Sequence, residues 1–187
     1  MDVQSYLQVM HVAERLKDAL RHGNSSHGRR ESVAEHSWRI TLMAFFMEDE
    51  FPDVDMHKVM EMCLIHDLGE CFTGDIPTFP KTDADEKTEA QLLGDWVSSL
   101  PAPYNQKLHA LYEEMDAQQT MEAKIYKALD KMEAVLQHNE APLSTWILRE
   151  YDLNRTYGFE QAACAPYLME LREAMLQDTL KKIESGE

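Results

Sequence analysis

Ser32-Val33-Ala34-Glu35-His36-Ser37, followed by apolar residues at Ile40, Met43, Phe46 and Met47, decides how the rest of the chain is read. A serine three residues ahead of a glutamate and in front of an apolar run is a capping box, in which the two side chains satisfy free amides of the first helical turn. The apolar residues then recur at helical spacing, and His36 falls one turn inside a rigid start. Upstream, Val3, Leu7, Met10, Leu16 and Leu20 follow the same period and predict a helical first segment. Downstream, a third helix is predicted from about Asp55 through Val59, Met60, Cys63 and Leu64 to His66-Asp67-Leu68-Gly69, where glycine permits a break. Further helices are predicted at about 84–100, 104–116, 120–140 and 159–184, punctuated by Pro101, Pro103, Pro142 and Gly158. Strand-like alternation is nearly absent, and there is no internal repeat, low-complexity tract or linker. The expectation is an all-α chain in which residues 1–187 form a single domain.

Composition narrows the classes of function. A hydrophobic content of 44% without an apolar run approaching the roughly 20 residues needed to cross a bilayer excludes a membrane span and argues against a disordered chain. The start, MDVQSYLQVMHVAERL, has neither a basic leader nor a small-residue cleavage site, so a cytoplasmic location is expected. Cys63, Cys71 and Cys164 form no even set and no CxxC pair, and are read as reduced thiols. Thirty-four acids against eighteen bases give a net charge of −16, a field that repels nucleic-acid polymers. A small phosphate ester remains compatible, because one metal ion and a few placed cations reverse the potential locally.

Chemistry-bearing residues lie on three of the helices. A His66-Asp67 pair alone is a weak signal and is commonly a surface pair. It gains weight because His36 sits just inside a capped start, and because Asp130 stands among the apolar Ala128, Leu129 and Met132 of a later helix. Two imidazoles and two carboxylates suit a borderline divalent ion such as Mn, Fe, Co, Ni or Zn. On an octahedral ion such a set leaves two positions open, enough for a water and a phosphate oxygen together.

His36, His66-Asp67 and Asp130 resemble the H...HD...D signature of the HD-domain metal-dependent phosphohydrolases. The stretches around them, Ser32 to Ser37, His66 to Glu70, Thr73-Gly74-Asp75-Ile76-Pro77-Thr78 with Lys81, and Ala128 to Lys131, resemble the 5'-deoxynucleotidase subgroup. The likeness runs from about Val9 to Gln137, and the C-terminal third matches only as helical filler. The resemblance implies an HD-type helical bundle around one divalent transition metal held by His36, His66, Asp67 and Asp130. It implies hydrolysis of (deoxy)ribonucleoside 5'-monophosphates to nucleoside and phosphate by attack of metal-bound water, with a small-molecule nucleotide as substrate and a homodimeric assembly. Glu70 would handle protons with Asp75 as companion, and Arg21 would grip the phosphate, with Lys81 a weaker candidate. The bland readings are a solvated helix-end acid for Glu70 and a turn former for Asp75. The residue after Arg21 departs from the subgroup, being His22 where those enzymes carry tryptophan; it either hydrogen-bonds a sugar or is solvated.

Two other readings share these residues. The same ligands would serve hydrolysis of nucleoside di- or triphosphates or of another small phosphate ester, and a non-catalytic helical module could keep a metal for structure or for nucleotide binding. Glu70, Asp75 and Arg21 argue against the module, which would need only its ligands. Arg29 and Arg30 read as a solvated basic pair. His11, His27, His57, His109 and His138 have no partner at useful spacing, and the twelve methionines read as core. Trp38, Trp96 and Trp146 are too far apart for a base-stacking platform, and no Walker loop, Rossmann fingerprint or GxSxG elbow is present.

Overall fold

The computed structural model describes residues 1–76 and 83–186. Helix α1 (Val3–Ala13) runs through a 3-10 turn into a short hairpin, β1 (Leu20–Asn24) and β2 (Arg30–Ser32), which leads directly into α2 (Val33–Phe46). There follow α3 (Met56–Ile65), the single turn α4 (Glu70–Thr73), α5 (Asp83–Ser99), α6 (Tyr104–Ala117) and α7 (Met121–Glu140). The chain closes with α8 (Leu148–Thr156), another single turn, α9 (Phe159–Ala162), and α10 (Pro166–Ser185). The all-α expectation holds, and among the described residues no helix is long and apolar enough to cross a membrane.

Helix α7 is the axis on which the others pack. Ile125, Ala128, Leu129, Met132 and Val135 are buried against Ile40 and Ala44 of α2, Val59, Met62 and Cys63 of α3, and Leu168 and Met175 of α10. Apolar burial of this extent is the main favourable term in folding. A smaller cluster of Leu16, Val33 and Cys71, with Leu68 and Phe72 against it, ties the 3-10 turn to the starts of α2 and α4. It thereby sets the heights of β1 and of Glu70 relative to α2.

The capping box forms as read: Ser32 Oγ accepts from the Glu35 amide at 3.3 Å, and the Glu35 carboxylate accepts from the Ser32 amide at 2.8 Å. Arg29 then clasps Glu35 at 2.7 Å and Arg30 donates to the Arg21 carbonyl at 2.6 Å, so this basic pair braces the hairpin and the α2 start rather than standing free in solvent.

Three expectations require correction. Leu20 lies on a strand, not on a helix, because the chain turns back through Ser25 to Gly28 and pairs with β2; Gly28 has a φ of 79° at that turn. The 159–184 segment is two helices, since Pro166 is the first residue of α10 and cannot continue a preceding helix. Helix α8, ahead of it, had no counterpart in the reading. Gly69 also acts otherwise than proposed: its backbone is right-handed helical, and what its missing side chain permits is close approach of Glu89, which a Cβ would meet at 2.9 Å.

Replacing Ser32 by Ala removes the cap that fixes the start of α2. We expect a loss of about 1 kcal/mol in unfolding free energy, read as a lower urea midpoint with an unchanged slope.

Candidate metal and phosphate site

Three helices converge on one point through their side chains. His36 projects from the second turn of α2, His66 and Asp67 from the turn ending α3, and Asp130 from the middle of α7. His36 Nε2 lies 3.4 Å from Asp130 Oδ1 and 3.9 Å from Asp67 Oδ2. His66 Nε2 lies 3.0 Å from Asp67 Oδ2 and 3.9 Å from Asp130 Oδ1. The two rings meet edge to face with centroids 5.2 Å apart.

The far nitrogen of each ring is already committed. His66 Nδ1 sits 2.9 Å from the Cys63 carbonyl, which can only accept, so Nδ1 carries a proton and Nε2 is the nitrogen turned to the carboxylates. His36 Nδ1 sits 2.5 Å from Glu133 Oε2, in the carboxylate–histidine arrangement that orients metal-ligating imidazoles. Both Nε2 atoms are buried without a hydrogen-bond partner among the described residues. Two such ring nitrogens beside two carboxylates are a donor set that fits a divalent cation, and ligand atoms of His36, His66 and Asp67 lie within 4.8 Å of one another. A second close group, Glu31, His36 and Glu133, shares His36 and presents carboxylates behind it.

The carboxylates around the rings draw positive charge. Burial and Arg21 push the His36 pKa down, but Asp130 and Glu133 outweigh them and raise it to about 9. Burial opposes charge on Asp67, yet His66, His36 and Arg21 hold its carboxyl well below the usual range. Asp130 is likewise depressed against burial by Lys131, His36 and Lys127; Lys127 Nζ stands 3.1 Å and Lys131 Nζ 3.4 Å from its Oδ2. The cluster is anionic, buried and attractive to positive charge.

Asp67 and Asp130 line a cleft of about 370 Å³, whose wall also holds Arg21, His22, Glu70 and Asp75, with the two imidazoles buried behind the carboxylates. Arg21 bridges Glu31 at 3.3 Å and Asp67 at 3.5 Å. Glu70, buried in the first residue of α4, has its carboxyl raised to about 9, first by burial and then by the charges of Asp67 and Asp75. Its Oε2 has no hydrogen-bond partner among the described residues. Gly74, with a φ of 72°, turns the chain after α4 so that Asp75 comes back to the cleft. Lys81 lies outside the described residues.

Several residues in the cleft wall or buried behind it were not singled out from sequence. Glu133 stands three positions after Asp130, on the same face of α7, and that spacing could have marked it. Lys127 is three before Asp130 by the same rule. Glu150 and Asn154, on α8, sit in the segment read as filler and carry no motif. His138, read as partnerless, lies 3.3 Å from Glu150 and 2.8 Å from Asn154.

With helices, donor set and cleft described, the class follows. An HD domain family model matches residues 13–172, and the chain belongs to the HD domain family. It is 32% identical over 141 residues to human 5'-deoxynucleotidase HDDC2, covering 73% of this chain and 68% of that protein. It is 28% identical over 148 residues to the Dictyostelium discoideum 5'-deoxynucleotidase HDDC2, covering 74% and 78%. A crystal structure of a predicted metal-dependent phosphohydrolase from Magnetospirillum magnetotacticum MS-1 superposes with a TM-score of 0.75 at 25% identity, over 96% of this chain and 93% of that one.

Burial opposes the positive form of His138, but Glu150 and Asn154 outweigh it and raise its pKa, while His138 in turn holds Glu150 low against its own burial. The His138 contribution to stability is complete below its unfolded pKa of about 6.5 and is lost as pH rises through the higher folded value. The Glu150 contribution is present above about 4.3 and is lost as pH falls through the lower folded value. His138→Gln should therefore cost more unfolding free energy at about pH 5.5 than at about pH 9, measured by denaturant titration at each pH.

Proposed function

We propose that this chain hydrolyses nucleoside 5'-monophosphates, deoxyribose and ribose forms alike, to nucleoside and phosphate. The observation that carries the reading is the pair of buried imidazole nitrogens beside Asp67 and Asp130, carboxylates that line a cleft whose wall also holds the buried Glu70 and Arg21. The names of the HDDC2 relatives support the substrate class.

In this reading His36, His66, Asp67 and Asp130 hold one divalent transition metal, with Mn, Co, Fe, Ni and Zn all suited to the donor set. When bound, the ion supplies Lewis acidity toward a phosphoryl oxygen and toward water. Arg21 grips the phosphate, for which a guanidinium offers two parallel donors. Its present partners, Glu31 and Asp67, hold it over the floor of the cleft without saturating its five N–H groups. Lys127 and Lys131, beside Asp130, add positive charge on the same side.

Glu70 carries a proton near neutrality, which it can deliver to the leaving 5'-oxygen as that bond breaks. Burial, then the charges of Asp67 and Asp75, favour the protonated Glu70 carboxyl, a cation bound nearby acting in the opposite sense. Burial of Glu133 against His36 keeps the imidazole in the one tautomer that turns its lone pair to the cation.

Three free thiols, two of them buried, support a reducing, cytoplasmic location. The outer face of α2 exposes Trp38, Phe45 and Phe46 around a shallow groove, an apolar patch that supports association into a homodimer.

The test is phosphate release across ribo- and deoxyribonucleoside mono-, di- and triphosphates by purified protein supplied with each of these metals. Turnover of monophosphates is expected, and turnover confined to triphosphates contradicts the proposal. Glu70→Gln, which keeps the shape and loses the proton, should lower kcat at least about 100-fold on every substrate that the wild type turns over.

A further inference from the structure

One part of the cleft wall is not used by the chemistry above. Strands β1 and β2 pair at Leu20 with Ser32 and again at Asn24 with Arg30, so Arg21, His22 and Gly23 stand opposite the single Glu31. Such a bulge breaks the alternation of side chains and re-aims them. Arg21 and His22, consecutive in a strand, accordingly both line the cleft.

His22 is held from behind. Its Nε2 lies 3.0 Å from Glu150 Oε1, and the same oxygen lies 3.3 Å from His138 Nε2. The other Glu150 oxygen accepts from the Ile147 amide at 2.7 Å, and His138 Nδ1 lies 2.8 Å from Asn154 Oδ1. The Glu150 side chain is 3% exposed, whereas that of His22 is 43% exposed. A buried carboxylate, engaged on both oxygens, thus ends in one imidazole open to the cleft. Nδ1 of that ring has no partner among the described residues, and on the same wall the fully buried Asn154 has an unpartnered Nδ2.

Desolvating a carboxylate is costly, and a solvated histidine does not need one behind it. What the arrangement achieves is a fixed ring on the cleft wall next to Arg21, held through Nε2 so that Nδ1 is left for a ligand. A hydroxyl matches that nitrogen in either protonation state, donating to the lone pair of imidazole or accepting from imidazolium. In a nucleoside 5'-monophosphate the group joined to the phosphate is the pentose, whose ring hydroxyls are the nearest of this kind.

We propose that His22, aimed by Glu150 and His138, hydrogen-bonds a pentose hydroxyl of the substrate, so that ribonucleoside 5'-monophosphates are among the substrates of this chain. The inference rests on the monophosphatase reading of the site. His22 is the contacting residue; Glu150 and His138 are positioning residues acting through it.

The test compares kcat/KM for ribo-, 2'-deoxyribo- and 3'-deoxyribonucleoside 5'-monophosphates of one base in the wild type, His22→Ala, His22→Asn and Glu150→Gln. His22→Ala should lose about ten-fold on the ribo form, the scale of one hydrogen bond, and markedly less on the analogue that lacks the contacted hydroxyl. Glu150→Gln should shift the same ratio in the same direction while thermal unfolding shows a folded chain, and His22→Asn should recover part of it. Equal losses on all three sugars, or unchanged ratios, overturn the proposal while leaving the monophosphatase reading intact. Should the wild type turn over no monophosphate, that reading fails, and calorimetric binding of adenosine against 2'- and 3'-deoxyadenosine decides this one. Hydroxyl-selective binding abolished in His22→Ala upholds it, and binding without selectivity, or none at all, overturns it.

Discussion

The structure depends on one constraint: acidic and imidazole side chains are buried inside a helical core, and each must be compensated there. Asp130, Glu133 and Gln137 form a polar stripe on α7, a helix otherwise buried through Ile125, Leu129, Met132 and Val135. Carboxylates taken out of water are expensive unless paired and hydrogen-bonded. Glu133 is compensated by His36 and by Arg39, 3.8 Å away; Asp130 by Lys127 and Lys131; Asp67 by Arg21. The elements that supply these partners, β1, α2, the end of α3 and α7 itself, are held where they are by the apolar cluster beneath them. Packing and site are therefore one arrangement, in which apolar burial supports the desolvation of the charges.

Compensation is incomplete at several atoms, and among the described residues His36 Nε2, His66 Nε2 and Glu70 Oε2 are three that are buried without hydrogen-bond partners. Native interiors tolerate few such atoms, and those that persist mark function. All three belong to residues at or beside the floor of the same cleft. A cation meets the need of the two nitrogens, and a proton shared with a reacting group meets that of Glu70.

Much of this was legible in the sequence because it rests on local rules. The Ser32–Glu35 box fixes the start of α2, and so the height of His36. Helical periodicity brings α2, α3 and α7 into the core, and the spacing of Asp130 among apolar neighbours marks the inward face of α7. What was not legible depends on long-range pairing. The hairpin β1–β2 has no apolar alternation in Leu20-Arg21-His22-Gly23-Asn24, so the only trace it left was the turn-forming run before Arg29. Helix α8 shows no capping serine and no catalytic motif, yet Glu150 and Asn154 reach His138 of α7 across a sequence separation that periodicity cannot bridge. The pairings of His36 with Glu133 and of Arg39 with Gln137 and Glu140 likewise connect residues about a hundred positions apart. The cleft thus has a half written in motif residues and a half assembled by the tertiary fold.

The measurement closest to the central claim is elemental analysis of the purified chain after exposure to a mixture of Mn, Fe, Co, Ni and Zn, alongside Asp130→Asn with its helical content checked by circular dichroism. The account predicts a single divalent ion per chain in the wild type and its loss from the folded variant. A wild-type chain that retains no metal, or a variant that keeps a full complement, would contradict it.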